Sequence, residues 1–248
     1  MRKPVVVIPA AGRGTRLGLD RPKILAPITA QETIWSVLAA RLAPLAERIC
    51  VVMSPWGETA FRDAIAPDMA ARVDVVLQPQ PLGMGHAVFC GADSFSGADT
   101  VLVVWGDQIN VGRDTIVRTC ERHAGRKRTV VIPTVLLQSP YVEYRFGEDG
   151  RLARILETRE GDTCAPVGFA DVGTFLLSVE GLASAWASYV AVARLGAATG
   201  ELNFLPFLVY LANNGWLVEQ IVIDDPGEAR GVNTKDDLEF AMARLGQA

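Results

Sequence analysis

The chain has 248 residues, 50% hydrophobic and 21% charged, with a formal net charge of -4. That balance excludes a mainly disordered chain and leaves no global basic field to attract nucleic acid. No apolar run approaches the roughly 20 residues needed to cross a bilayer, and Val5 to Ile8 is too short for a signal-peptide core. A cytoplasmic protein without membrane or nucleic-acid partners is expected.

In chain order, short β-branched runs alternate with stretches of helical period. Residues 5–8 read as a fully buried strand, 33–45 as a helix, 49–53 as a strand, 59–65 as a short helix and 73–77 as a strand. A helix over 84–92, a strand over 100–104, a helix over 114–123 and a strand over 129–137 follow. Continuous apolar strands separated by helices predict parallel pairing with both faces covered, hence an open, doubly wound, mostly parallel α/β sheet. After Gln138-Ser139-Pro140 the rhythm changes. Strands over 141–146 and 152–157 flank the turn Gly147-Glu148-Asp149-Gly150, and 172–176 alternates as another strand. Helices over 179–194 and 202–213, a strand over 217–223 and a helix over 234–245 complete the chain. Asn233 or Thr234 is expected to cap the last helix. Without repeats or a flexible linker, a single domain over 1–248 is expected, with 139–248 forming a small β lobe continuous with 1–138.

The cysteines, Cys50, Cys90, Cys120 and Cys164, form no CxxC pair, so they read as buried thiols in a reducing compartment rather than as a zinc or redox site. Only His86 and His123 are present, so catalysis must run on Lys, Arg, carboxylates and bound ions. Trp35, Trp56, Trp186 and Trp216 fit a core or an interface alike, which leaves a homo-oligomer open.

The most informative segment is Ile8-Pro9-Ala10-Ala11-Gly12-Arg13-Gly14-Thr15-Arg16-Leu17-Gly18, followed by Arg21-Pro22-Lys23. It comes directly after the first buried strand, where open α/β sheets place their ligand crevices. Small residues at Ala10, Ala11, Gly12 and Gly14 let backbone N–H groups approach a phosphate, and Arg13, Arg16 and Lys23 add cations. The loop therefore suits a polyphosphate; a glycine-rich turn with solvated arginines is the plainer alternative. Neither the dinucleotide pattern, which needs glycine where Leu17 stands, nor the Walker pattern, which needs a Gly-Lys pair, fits.

This segment resembles the signature of the sugar-phosphate nucleotidyltransferases, [L/P]-A-[A/G]-G-x-G-[T/S]-R followed by P-K. The nearest likeness is to the N-terminal uridylyltransferase domain of bacterial N-acetylglucosamine-1-phosphate uridylyltransferases. Three further segments match in order: Gln78 with Pro81-Leu82-Gly83-Met84-Gly85-His86-Ala87, Val104-Trp105-Gly106-Asp107, and Gly231-Val232-Asn233. Glu157 and Gly200-Glu201 fall at acceptor-side positions.

The resemblance implies a Rossmann-like nucleotidyltransferase fold, with residues 1–138 binding nucleotide and 139–248 binding the acceptor. It implies a Mg²⁺-dependent enzyme that joins an NTP, UTP or dTTP favoured, to a sugar 1-phosphate and releases pyrophosphate. Arg16 and Lys23 would be catalytic, stabilising charge on the triphosphate. Asp107 and Asn233 would hold the metal. Pro9, Ala10, Ala11, Gly12, Gly14, Thr15, Gln78, Gly83, Met84, Trp105 and Gly106 would bind the nucleotide. Tyr144, Glu157, Asp171 and Glu201 would face the small phosphorylated acceptor. Outside that resemblance, Asp107 reads equally as a turn cap at a strand end, Gln78 as a polar loop residue, and His86 as a packed helix residue without a catalytic role.

Several positions depart from the pattern. Met84 stands where threonine is usual, Tyr144 where glycine is, and Asp171 where an asparagine would contact the acetylated sugar. After Gly200-Glu201 the chain reads Leu202-Asn203-Phe204-Leu205-Pro206 instead of a tyrosine-rich stretch. These changes gather on the acceptor side, so retained chemistry with an altered acceptor is expected. A cytidylyltransferase acting on a non-sugar phosphate or phosphonate is the enzymatic rival, and a catalytically silent nucleotide sensor the non-enzymatic one. The chain stops at Ala248, without the acetyltransferase domain of the bifunctional enzymes, which reads as a stand-alone transferase.

Overall fold

The structure, a computed structural model, describes residues 2–12 and 17–246. Ten strands join one sheet: β1 (Val5–Pro9), β2 (Arg48–Met53), β3 (Val73–Leu77), β4 (Thr100–Val104), β5 (Thr129–Gln138), β6 (Val142–Phe146), β7 (Leu152–Glu157), β8 (Val167–Asp171), β9 (Thr174–Ser178) and β10 (Leu217–Val222). Their spatial order is β3-β2-β1-β4-β9-β5-β8-β6-β7, with β10 beside β5. Strands β1 to β6 and β10 point one way, and β7, β8 and β9 point the other. The expected open α/β sheet is present. Its all-parallel block is β3-β2-β1-β4, and every antiparallel pairing lies beyond β4.

Helices α1 (Ile34–Leu42), α2 (Glu58–Asp63), α3 (Met84–Cys90), α4 (Ala92–Phe95), α5 (Arg113–His123), α6 (Leu182–Val190), α7 (Leu205–Asn213) and α8 (Lys235–Leu245) connect the strands. The period of two along β1 sends Val6 and Ile8 into one core with Ile34 and Leu38. It sends Val5 and Val7 into a second core with Phe207, Leu208 and Leu211. Both faces are covered, which is why these strands read as continuous apolar runs. Burying each such side chain contributes about 1.5–3 kcal/mol.

Helix ends differ from expectation where local chemistry intervenes. Thr33 and Thr234 each form a capping box, with Ser36 and Asp237 respectively, so α1 and α8 start one residue late. Gly91 separates α3 from α4. The strand expected over 172–176 straddles a bend: β8 and β9 both run antiparallel to β5, and the chain turns between them at Val172-Gly173. Gly173 has φ +69°, and a Cβ there would meet the Gln108 side chain at 2.2 Å, so the bend accommodates glycine alone. Strand β8 carries no strand signal of its own, since Val-Gly-Phe-Ala-Asp contains no β-branched run.

Trp35 and Trp216 are core residues, Trp186 stacks on Phe89 with ring centroids 4.1 Å apart, and Trp56 is exposed. The four cysteines are free; Cys50 is buried and the other three are half-buried. His123 is buried against Ser178, its Nε2 3.1 Å from the hydroxyl oxygen, and takes no part in the cleft described next. Among the described residues, no helix is long and apolar enough to cross a membrane.

Candidate active site

Strands β1, β3 and β4 run parallel, so their carboxyl ends open on the same edge of the sheet. Pro9 ends β1, Gln78 follows β3, and Trp105-Gly106-Asp107 follows β4. Pro9, Gln78, Trp105 and Asp107, together with Glu157 at the end of β7 and Asp171 at the end of β8, line a cleft of about 720 Å³.

At its wall, Lys23, itself not a lining residue, donates from Nζ to two that are, Asp107 Oδ2 at 2.6 Å and Asn233 Oδ1 at 2.7 Å. Each member of this trio is fixed by its own element. Lys23 opens a short 3-10 turn whose next residues, Ile24 and Leu25, are buried and anchor it. Asp107 accepts at its backbone oxygen from Val232 N at 3.0 Å, which ties the end of β4 to the Gly231-Val232-Asn233 segment. Asn233 donates its backbone N–H to Asp237 Oδ2 at 3.0 Å, so the cap of α8 also places the asparagine. Burial opposes ionisation of Asp237, but hydrogen bonds from Arg230, Asn233 and Thr234 outweigh it and hold the carboxyl below its usual range. Lys23 and Asp107 are only 20% and 21% exposed, so this ion pair is far better shielded than a surface pair.

Gln78 is buried at the cleft wall, where its Nε2 donates to the Gly83 carbonyl at 3.1 Å and lies 3.0 Å from His86 Nδ1. Gly83 has φ +106°, and an added Cβ would stand 2.7 Å from the Leu202 carbonyl oxygen, so only glycine fits this close approach. The far end of the cleft is acidic. Burial, then Glu160, Asp171 and Asp162, push the Glu157 carboxyl up to about 7. Burial likewise pushes Asp171 up.

A profile of the MobA-like NTP transferase domain matches residues 6–191. The chain belongs to that family. It is a nucleotidyltransferase. Among its relatives is the bifunctional protein GlmU of Oleidesulfovibrio alaskensis, 31% identical over 238 residues, which cover 94% of this chain and 50% of that protein. The GlmU of Mycobacterium bovis is 29% identical over 256 residues, covering 98% and 50%. The chain therefore spans about half the length of these relatives. A Bacillus anthracis structure described as a glucose-1-phosphate thymidylyltransferase, with a TM-score of 0.78 and 16% identity over 98% of this chain and 95% of that one, shares the fold.

In this nucleotidyltransferase the structure brings most of the expected residues to one cleft: Pro9, Ala11, Gly12, Gln78, Gly83, Met84, Trp105, Asp107, Glu157, Asp171, Glu201 and Asn233. Gly106 packs against the Pro9–Ala10 backbone beneath them. Gly14, Thr15 and Arg16, together with Arg13, lie outside the described residues. Two expectations need correction. Ala10 donates its N–H to Val52 O at 2.8 Å, so that group completes the sheet and is not free for a phosphate. Tyr144, expected at the acceptor, is 2% exposed in the core and absent from the cleft lining, because its position on β6 faces the second core.

Arg159, Arg230 and Asp237 line the cleft and escaped the sequence reading. For Asp237 a signal was available, since Thr234-Lys235-Asp236-Asp237 is a capping-box spacing. Arg159 and Arg230 carry no local pattern that would mark them.

Proposed function

We propose that this nucleotidyltransferase transfers the nucleotidyl group of an NTP, UTP or dTTP favoured, to a sugar 1-phosphate, with Mg²⁺ as cofactor, releasing pyrophosphate and an NDP-sugar. The observation that carries this reading is the convergence of Asp107 Oδ2 and Asn233 Oδ1 on one ammonium, 2.6 and 2.7 Å away. Two hard oxygen donors already share a cation, at the sheet edge where the triphosphate belongs. Such a pair fits Mg²⁺, which takes one or two protein oxygens and completes its shell with phosphates and water. When bound, the ion neutralises phosphate charge and assists departure of pyrophosphate.

The rest of the work belongs to the chain. With those two oxygens given to the ion, the Lys23 ammonium would be released from them to donate to a phosphate oxygen. The acceptor's phosphate oxygen attacks the α-phosphorus, the bond to the bridging oxygen of the β-phosphate breaks, and the electron pair leaves with pyrophosphate. An ionised phosphate needs alignment rather than a base, so the lack of a histidine in this trio is consistent with the reaction. Glu157, Asp171 and Glu201 supply acceptor oxygens for the hydroxyls of a sugar, which favours a sugar phosphate over an acceptor without hydroxyls.

The test is pyrophosphate release with Mg²⁺ across UTP, dTTP, CTP, GTP and ATP, each against sugar 1-phosphates and alcohol phosphates. Turnover of one uridine or thymidine nucleotide with one sugar 1-phosphate, lost in Asp107→Ala and Lys23→Ala, is the expected result. Turnover of CTP with an alcohol phosphate or phosphonate would replace this reading by the cytidylyltransferase one.

A further inference from the structure

Among the described residues, three aromatic residues line the cleft: Trp105, Tyr141 and Phe204. Two of them are spent on each other. Trp105 meets Phe204 edge-on with ring centroids 5.5 Å apart, and both pack on Phe175, at 5.0 and 5.3 Å. Tyr141 makes no ring contact among the described residues and is 67% exposed. Both faces of its ring are open.

That exposure is to the cleft and not to the outer surface. Desolvation by the surrounding walls, then Asp171, Asp107 and Asp237, push the Tyr141 hydroxyl up, and all three carboxylates line the cleft. The phenol therefore projects between the Asp107 end and the acidic end. Its backbone is fixed against the latter: Tyr141 O accepts from Thr158 N at 2.9 Å and from Thr158 Oγ1 at 3.2 Å. One step further along, Val142 pairs with Glu157, so the ring and the Glu157 carboxyl are held in one register.

The strand order separates this ring from the base. Gln78 follows β3, at one edge of the sheet, whereas Tyr141 precedes β6, and Glu157 and Asp171 end β7 and β8, towards the other edge. A substrate group meeting Tyr141 is thus part of the acceptor. A pyranose matches what this end offers. Its hydroxyls radiate around the rim of the ring, where carboxylate oxygens can accept from them. Its axial C–H groups make an apolar, slightly positive face that suits the negative face of an aromatic ring. An acyclic alcohol phosphate or phosphonate has no such face.

We propose that Tyr141 is the stacking platform for the acceptor, a pyranosyl 1-phosphate that lies with one C–H face on the phenol. This deepens the sugar 1-phosphate reading above and rests on it. It adds a residue that neither the glycine loop nor the metal-end trio contains, and it requires a ring in the acceptor.

The test uses UTP and dTTP with Mg²⁺ and the 1-phosphates of glucose, galactose and N-acetylglucosamine, and follows the pair that turns over. The side chain is exposed, so truncating it leaves both cores intact. In Tyr141→Ala the KM for the sugar 1-phosphate is expected to rise about tenfold, while the KM for the nucleotide stays within about twofold of wild type. Tyr141→Phe, which keeps the ring and drops the hydroxyl, should hold the sugar KM within about threefold. A sugar KM unmoved in Tyr141→Ala would overturn the proposal, as would sugar and nucleotide KM rising together. An equal rise in Tyr141→Phe would assign the effect to the hydroxyl and overturn it too. If no sugar 1-phosphate turns over with either nucleotide in wild type, the sugar reading itself fails and this inference falls with it.

Discussion

Near β1 and β4, two oxygens of the cleft wall, from Asp107 and Asn233, share one cation, Lys23. At the opposite end, Glu157, Asp171 and Glu201 have no ion-pair partner among the described residues, and Glu157 is pushed up to about 7 by burial and by neighbouring carboxylates. The first end pairs its charges within the chain, a preorganisation that the proposed nucleotidyl transfer would use. The second carries carboxyls that suit the hydroxyls of the proposed sugar. The division follows the sheet. The parallel block presents loops after strands, where side chains from distant segments converge, while the antiparallel strands offer residues one by one along their ends.

Removing the preassembled end carries the largest expected effect. Asp107→Ala and Lys23→Ala should each lower kcat/KM by about 10²–10³, comparable to losing one preorganised electrostatic contact, as measured by pyrophosphate release. If either variant kept full activity, the trio would be a structural ion pair and the contrast between the two ends would collapse.

Next in size is Gly83→Ala. Its φ of +106° and the 2.7 Å approach to the Leu202 carbonyl should cost about 2 kcal/mol in denaturant unfolding. Nucleotide Kd should rise in parallel, because the Gly83 carbonyl orients Gln78.

The acidic end should reveal itself through pH. A carboxyl at about 7 in the folded state binds a proton that the unfolded chain has already lost, so its contribution makes stability fall as pH rises from about 4.5 to about 7. Glu157→Gln should flatten that part of the Tm profile and raise Tm at pH 7.5 relative to wild type. A variant with an unchanged profile would mean that the carboxyl is solvated like any surface glutamate.

Tyr144→Phe removes a buried hydroxyl that stands against the Asp171 carboxyl. Stability should change by no more than about 1 kcal/mol, and any rise in acceptor KM should be smaller than in Asp171→Asn, because Tyr144 reaches the cleft only through Asp171. An equal rise would return Tyr144 to the acceptor site. The smallest effect belongs to the exposed Glu58–Arg62 pair on α2, 2.9 Å apart, where Glu58→Ala should cost about 0.3 kcal/mol.

The strands of the parallel block were legible in the sequence because burial on both faces leaves an uninterrupted apolar run, and Asp107 and Gln78 were legible as the first polar residues past such runs. Lys23 was visible through the Arg21-Pro22-Lys23 segment and Asn233 through Gly231-Val232-Asn233. Their meeting was not, since 210 residues separate Lys23 from Asn233. Strand β8 and the inward turn of Tyr144 were hidden because these antiparallel strands are chosen by their neighbours in the sheet rather than by their own composition. Composition and periodicity thus determined the sheet and its carboxyl edge, which depend on local backbone geometry, and the resemblance carried by the glycine-loop segment pointed to nucleotidyl transfer. Only the tertiary structure decided which carboxylates remain unpaired, which nitrogen of His86 faces Gln78, and which way the Gln78 amide points, because those depend on contacts between segments that no local pattern encodes.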